Sequence, residues 1–226
     1  FSADAYGKFG VLSVEEDWAC EARRYYFNIC GKYGTQVQNL LRKASASEIS
    51  MICPLHGPVL KEHLDYYIGL YNTWSNYEPE TDGVFIAYAS IHGNTAEAAN
   101  KLAEILREKG AVKVSVTDLS RCDMAEAVED AFRMSNLVLA ASSYDAGIFP
   151  PMNDFLHHLQ DKSFQNRRVA LIENGSWAPV AGKLMYAKMK DLKDIDVIEP
   201  IITIRGRMKS SDIALLEGLA EVILDK

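Results

Sequence analysis

Apolar residues follow two different rhythms along the chain, and the change between them falls near residue 83. From residue 84 onward, short runs that are apolar almost throughout alternate with longer mixed stretches. The runs are VFIAY (84–88), VKVSVTD (112–118), NLVLAAS (136–142), RVALIEN (168–174) and VIEPIITI (197–204). The stretches near 95–109, 124–134, 151–162, 180–192 and 210–225 read as helices. A strand without alternation is buried on both faces, so five strand–helix units in succession predict a parallel sheet covered by helices on both sides. Five strands in this length predict a doubly wound α/β domain with spatial strand order 2-1-3-4-5.

Residues before that point read differently. The pattern predicts a long helix over 14–43, a short strand ISMIC (49–53), a turn around His56-Gly57-Pro58 and a helical segment near 60–74. NYEPETDG (76–83) is polar, with Pro and Gly, and reads as a linker. The organisation expected is therefore 1–75, a linker at 76–83, and an α/β domain at 84–226. A first part so short and so poor in strand makes a weak core alone, which predicts that it packs on something else.

Composition narrows the class. The chain has 226 residues, 48% of them hydrophobic and 24% charged, as expected of a globular protein in water, and no run approaches a membrane span. A net charge of −7 and a pI near 5.3 argue against nucleic acid as partner. Cys20, Cys30, Cys53 and Cys122 form no CxxC and no zinc spacing, so free thiols in a reducing, cytoplasmic compartment are expected. The opening FSADAYGKFG has no Met, no basic n-region and no apolar h-region, and reads as the interior of something longer.

Ligands of doubly wound sheets bind beyond the carboxyl ends of the strands. After the first strand come Ser90, Ile91, His92, Gly93, Asn94 and Thr95, ending at a predicted helix start. Unpaired N–H groups and the helix dipole favour an anion there, Ser90, Asn94 and Thr95 add donors, and Gly93 permits a close turn. A triphosphate loop would need GK[ST], and a dinucleotide loop GxGxxG; neither is present. A monophosphate held without a cation suits the absence of Lys and Arg between Gly83 and Lys101. The plain alternative is an ordinary Ser/Thr helix cap. After the third strand come Ser143, Tyr144, Asp145, Ala146 and Gly147, leading into IFPPM. After the fourth come Asn174, Gly175, Ser176 and Trp177, leading into AP. Each offers small residues, polar groups and one aromatic, the needs of a flat heteroaromatic ring, although Tyr144 and Trp177 could equally be packing residues. A terminal phosphate with a stacked ring describes FMN.

The combination SxxGNT, SYDAGIFPPM and ENGSWAP resembles the FMN loops of the flavodoxin-like domain of flavodiiron proteins (A-type flavoproteins), over essentially all of 84–226. The resemblance implies that Ser90–Thr95 hold the phosphate while Ser143–Gly147 and Asn174–Trp177 flank the isoalloxazine. Asp145-Ala146 stands where that family often has two Asn; an acid there is expected to lower the flavin potential. FSADAYGKFG and ICPLHGPVL resemble segments of the metallo-β-lactamase-like domain that precedes the flavodoxin domain in the same family. By that likeness Asp4 is a bridging metal ligand and His56 a terminal one, chemistry that suits a carboxylate and an imidazole on iron. The family's HxExDH cluster and a further His are not in this sequence, so a diiron centre is expected only if those ligands are supplied. None of His63, His92, His157 and His158 matches a ligand motif. The resemblance further implies reduction of O₂ to water or of NO to N₂O, electrons from rubredoxin or a flavoprotein (NADH-linked) reductase, and a head-to-tail homodimer. Alternatives are a stand-alone flavodoxin-type electron carrier, a flavin-dependent quinone reductase, and a regulatory module without flavin.

Overall fold

A computed structural model describes residues 1–10 and 17–225. The chain divides into two compact units, Phe1–Glu80 and Thr81–Lys226.

The second unit is built on a parallel sheet. Its strands are β1 (Thr81–Ala89), β2 (Val114–Asp118), β3 (Met134–Tyr144), the two-residue β4 (Gly147–Ile148), β5 (Arg167–Asn174) and β6 (Ile195–Ile204). The order is β2-β1-β3-β5-β6, with β4 folded back antiparallel on the end of β3. Counting only the parallel strands, this is the expected 2-1-3-4-5 order. Register runs straight across the centre: Ile86 faces Val138, Val138 faces Ala170, and Ala170 faces Ile198. Helices α4 (Asn94–Glu108) and α8 (Ser210–Leu224) cover one face, where Ile86, Val138, Ala170 and Ile202 meet Leu102, Leu106 and Leu216. Helices α5 (Met124–Arg133), α6 (Pro150–Asp161) and α7 (Ala181–Lys190) lie against the other, with Phe85 edge-on to Phe155. The apolar runs of the central strands β1, β3 and β5 are explained by burial on both sides.

The first unit contains α1 (Trp18–Ile29), a 3₁₀ turn (Gly31–Tyr33), α2 (Gly34–Ala44) and α3 (Leu64–Ser75). The helix expected over 14–43 is thus two helices, and its residues 14–16 lie outside the described residues. The break has a contact cause. A Cβ at Gly34 would stand 2.4 Å from the Ser75 carbonyl oxygen and 2.7 Å from the Tyr77 ring, and the Tyr77 hydroxyl donates to the Gly31 carbonyl. The strand expected at 49–53 is only an isolated bridge of Ile52 with Leu60. A lone residue pair lacks the repeated exchange that defines a strand. The core is aromatic: Tyr6 stacks on Tyr71 at 4.1 Å, and Tyr26, Phe27 and Trp74 fill the space around them.

The polar stretch 76–83 is anchored rather than slack. Tyr77 is buried, Arg23 forms a two-pronged pair with Glu80, and the Trp74 indole donates to Glu80 at 2.6 Å. Its last three residues already belong to β1, where a Cβ on Gly83 would meet the Met134 sulfur at 2.8 Å.

Candidate functional site

Five helices of the second unit begin near loops, and their first turns differ in what satisfies them. The Asp123 carboxylate accepts from the Ala125 N–H at the start of α5. Helix α6 opens with Pro150-Pro151, which have no N–H to offer. At α7 the Ser143 hydroxyl accepts from the Val180 and Ala181 N–H groups at 2.8 and 3.1 Å, and the Glu173 carboxylate accepts from Gly182 at 2.8 Å. Helix α8 carries Asp212 in its first turn, accepting from the Lys209 N–H. Helix α4 is different. Its N-cap is Gly93, with φ 90° and no side-chain acceptor. The first N–H of the helix bonded back is that of Glu97, to the Gly93 carbonyl. The N–H groups of Asn94, Thr95 and Ala96 therefore have no side-chain cap among the described residues, and the Ser/Thr-cap alternative does not describe this loop. An open helix start with positive dipole is the local chemistry that receives an anion.

The loop is held in shape by its own residues. The Ser90 hydroxyl accepts from the Gly93 N–H at 3.1 Å. Thr95 is buried and its hydroxyl pairs with that of Ser142 at 2.9 Å, tying the start of α4 to β3. Ile91, His92 and Gly93 are exposed, and nothing lies within 4 Å of where a Gly93 Cβ would stand. That empty space in front of uncapped N–H groups fits a phosphate.

The loop after β3 is a hairpin. Ser143 pairs with Ile148 and Tyr144 with Gly147, leaving Asp145 and Ala146 as a two-residue turn with φ of 47° and 55°. Tyr144 is half exposed, its ring 5.7 Å from Phe149. After β5, Trp177 is 94% exposed, with Ser176 exposed beside it. Gly175 is packed closely enough that a Cβ would come within 3.1 Å of Pro179. Asn174 is spent structurally: its amide donates to the Gly206 carbonyl at 2.9 Å and accepts from the Gly206 N–H at 3.1 Å. Ser143 likewise acts as the α7 cap. The exposed polar and aromatic groups of these two loops are thus Tyr144, Asp145, Ser176 and Trp177, with Ala146 and Gly147 supplying backbone.

Three residues outside the predicted set support these loops: Ser142, Glu173 and Arg205. Glu173 is buried, and its second oxygen accepts from the Thr203 hydroxyl at 2.8 Å, so one carboxylate joins β5, β6 and α7. A lone acid at the end of the apolar run RVALIEN was the available signal. Arg205 donates to the Trp177 carbonyl at 3.2 Å, a loop–loop contact without a sequence signature.

In the first unit Asp4 and His56 do converge. His56 Nε2 lies 3.5 Å from Asp4 Oδ1, both side chains more than half exposed. The bridge of Ala3 with Pro54 and the bond from the Lys8 N–H to the His56 carbonyl bring their segments together. A cleft of about 440 Å³ lies beside them, lined by Lys8, Phe9, Tyr25, Leu55 and His56. Burial, then the Asp4 charge, the nearby Cys30 and a hydrogen bond to Asp4, raise the Tyr25 hydroxyl. Burial and Asp4 likewise push the Cys30 thiol up. No group of three or more His, Cys, Asp or Glu placed to hold a metal occurs among the described residues. Asp4 and His56 by themselves do not fit a metal centre. All four cysteines are free, and no helix among the described residues is long and apolar enough to cross a membrane.

Residues 86–194 match the flavodoxin family. The chain is 25% identical over 201 residues to the anaerobic nitric oxide reductase flavorubredoxin of Vibrio vulnificus, covering 84% of this chain and 40% of that protein. It superposes on the flavodiiron protein of Giardia intestinalis with a TM-score of 0.91 and 19% identity, over 99% of this chain and 58% of that one. The rubredoxin oxygen:oxidoreductase of the anaerobe Desulfovibrio gigas gives a TM-score of 0.89 and 19% identity, over 98% and 57%. The chain spans less than half the length of the curated flavorubredoxin it matches. Its second unit has the flavodoxin-like fold, and the chain is similar over 84% of its length to a flavorubredoxin and shares the fold of the flavodiiron proteins.

Proposed function

We propose that the second unit binds FMN and serves as the electron-transfer half of a flavodiiron-type oxidoreductase. The observation that carries this reading is the open N-terminus of α4, which has Glu97 in its first turn but no side-chain acceptor on its first N–H groups, no prolines, and empty space at Gly93. A flavodoxin domain implies FMN. Bound there, FMN supplies the exchange of electrons in pairs on one side and singly on the other. This chain's own part is to bind and orient. The Asn94, Thr95 and Ala96 N–H groups with Ser90 receive the phosphate. Tyr144, Asp145, Ala146 and Gly147 on one side and Gly175, Ser176 and Trp177 on the other exclude water from a ring between them.

The remaining chemistry belongs to a larger assembly. Reduction of O₂ to water or of NO to N₂O, electrons from a rubredoxin or a flavoprotein reductase, and a head-to-tail homodimer are the family-level expectations for the whole. Asp4 and His56 face a metal only where further ligands are supplied, and no step here runs through one. The first unit is then the remainder of a metallo-β-lactamase-like domain. A second reading is a flavodoxin-type electron carrier, favoured by the two-residue ligand set at Asp4 and His56.

Both readings require FMN uptake, and turnover separates them. The chain loaded with FMN, reduced with dithionite and mixed with O₂ or NO, is expected to reoxidise in NO no faster than free reduced FMN. Catalytic NO consumption by this chain alone would show that it holds the complete centre. Failure of the apo-protein to take up FMN would sink both.

A further inference from the structure

The carboxyl end of β3 carries two serines in succession, Ser142 and Ser143. Successive side chains of a strand point to opposite faces of its sheet. The pair accordingly serves both helix layers. The Ser143 hydroxyl accepts from the Val180 and Ala181 N–H groups at the start of α7. The Ser142 hydroxyl meets that of Thr95 at 2.9 Å, in the first turn of α4. Ser143 closes the helix start it touches. Ser142 holds a side chain instead, and the Asn94, Thr95 and Ala96 N–H groups stay without a side-chain cap among the described residues.

The sequence suggests the Thr95 hydroxyl as a donor to the phosphate, but the fold turns it elsewhere. Ile91, His92 and Gly93 stand exposed around the space before α4, whereas Thr95 is 1% exposed. A side chain facing that space would be exposed with them. The Thr95 hydroxyl points inward to Ser142, one residue past the last β1–β3 pair, Ala89 with Ala141. What Thr95 offers an anion is therefore its N–H. Hydrogen bonds weaken steeply as they leave the line of the N–H. The aim of the three open groups thus depends on how firmly the first turn is held, and helix ends fray. Gly93 ahead of the turn has φ 90° and no side chain to anchor it. The Ser142–Thr95 bond joins that turn to the sheet.

We infer that Ser142 is a positioning residue for the phosphate site. It holds the Thr95 side chain against β3, and the turn so held presents the Asn94, Thr95 and Ala96 N–H groups to a phosphate monoester. The inference deepens the proposed function and rests on the FMN reading. A site is accurate when the groups that carry it are locked by hydrogen bonds behind them, and Ser142 supplies that lock without touching the ligand. The two hydroxyls act as a unit, so losing either has the same effect. That effect falls on the phosphate and spares the ring. Ser143, which caps α7 just beyond the Trp177 loop, serves the ring instead.

The test titrates the full chain as apo-protein with FMN and with riboflavin, in native form, as Ser142→Ala, as Thr95→Val and as the double variant. Both flavins carry the same ring, so the ratio of their affinities reads the phosphate site. Each single variant should lose FMN affinity roughly fivefold or more, the scale of one hydrogen bond, and keep riboflavin affinity within about twofold. The double variant should lose no more than either single one, as residues acting through one bond do. Ser142→Thr keeps the hydroxyl and should keep the native ratio. Ser142→Cys, of similar size and a weak donor, gives the same reading if the alanine variant does not fold. Native discrimination in Ser142→Ala would overturn the inference. So would an equal loss for both flavins, which is the mark of a general loosening. A loss in Thr95→Val several times that in Ser142→Ala would put the Thr95 hydroxyl on the phosphate and overturn it as well. A native chain that binds both flavins equally would remove the FMN reading, and the inference with it.

Discussion

Ala146 holds φ at 55° in the turn between β3 and β4. A residue with a Cβ loses about 1–2 kcal/mol there, and Gly recovers that at an entropic cost of about 0.5–1. Ala146→Gly is therefore expected to stabilise the second unit by roughly 0.5–1 kcal/mol, read as a shift in its denaturant midpoint. Its neighbour Asp145, at 47°, tolerates the same region better because a short polar side chain can bond locally. Asp145→Asn should raise the potential of bound FMN slightly, because Asp145 is exposed and its charge is screened; an unchanged potential would remove Asp145 from the ring's surroundings. Glu173 tests the buttress. Glu173→Ala leaves the Gly182 N–H and Thr203 hydroxyl unpaired, a loss of about 1–3 kcal/mol. FMN affinity should fall with it, because the loop carrying Trp177 starts from this joint.

Helices and strands show where the sequence was readable and where it was not. The central parallel strands were legible because burial on both faces leaves a run of apolar residues, as in Leu137–Ala141. The phosphate loop was legible as a place but not as a state. Only the structure distinguishes α7, closed by Ser143 and Glu173, from α4, whose cap is Gly93. The β3–β4 hairpin was missed because Asp-Ala lacks the Asn-Gly chemistry that marks such turns. The division between α1 and α2 was missed because its cause lies far along the chain, at Ser75 and Tyr77. That division gives a prediction at the scale of elements. Gly34→Ala should unfold or badly loosen the first unit, since the clash is with a backbone oxygen that cannot rotate away, while the flavodoxin-like unit should still take up FMN. A native-like circular dichroism melt of the first unit in this variant would contradict the contact account of the break.

For the molecule as a whole, the two units should respond differently to alkali. Burial pushes the Tyr6 hydroxyl up to about 12 and raises those of Tyr26 and Tyr71 as well. A hydroxyl that keeps its proton longer in the folded state stabilises fully below its unfolded value of 10.0, and that stability is lost as pH rises toward 12. For Tyr6 alone this is about 2–3 kcal/mol. Trp74 is buried in this aromatic core and Trp177 is exposed in the other unit, so the buried component of the tryptophan emission reports the first unit. It should shift to the red above pH 10; emission constant to pH 12 would mean that the tyrosines are not buried as described. The functional reading turns on the anion site at α4, and one titration addresses it most directly: FMN and riboflavin, which lacks the phosphate, added separately to the apo-protein and followed by quenching of flavin fluorescence. FMN is expected to bind at least about a hundredfold more tightly, the scale of two or three charge-assisted hydrogen bonds at roughly 1.5–3 kcal/mol each less the phosphate's own desolvation. Equal affinity for the two, or none for either, would contradict a phosphate site at the start of α4.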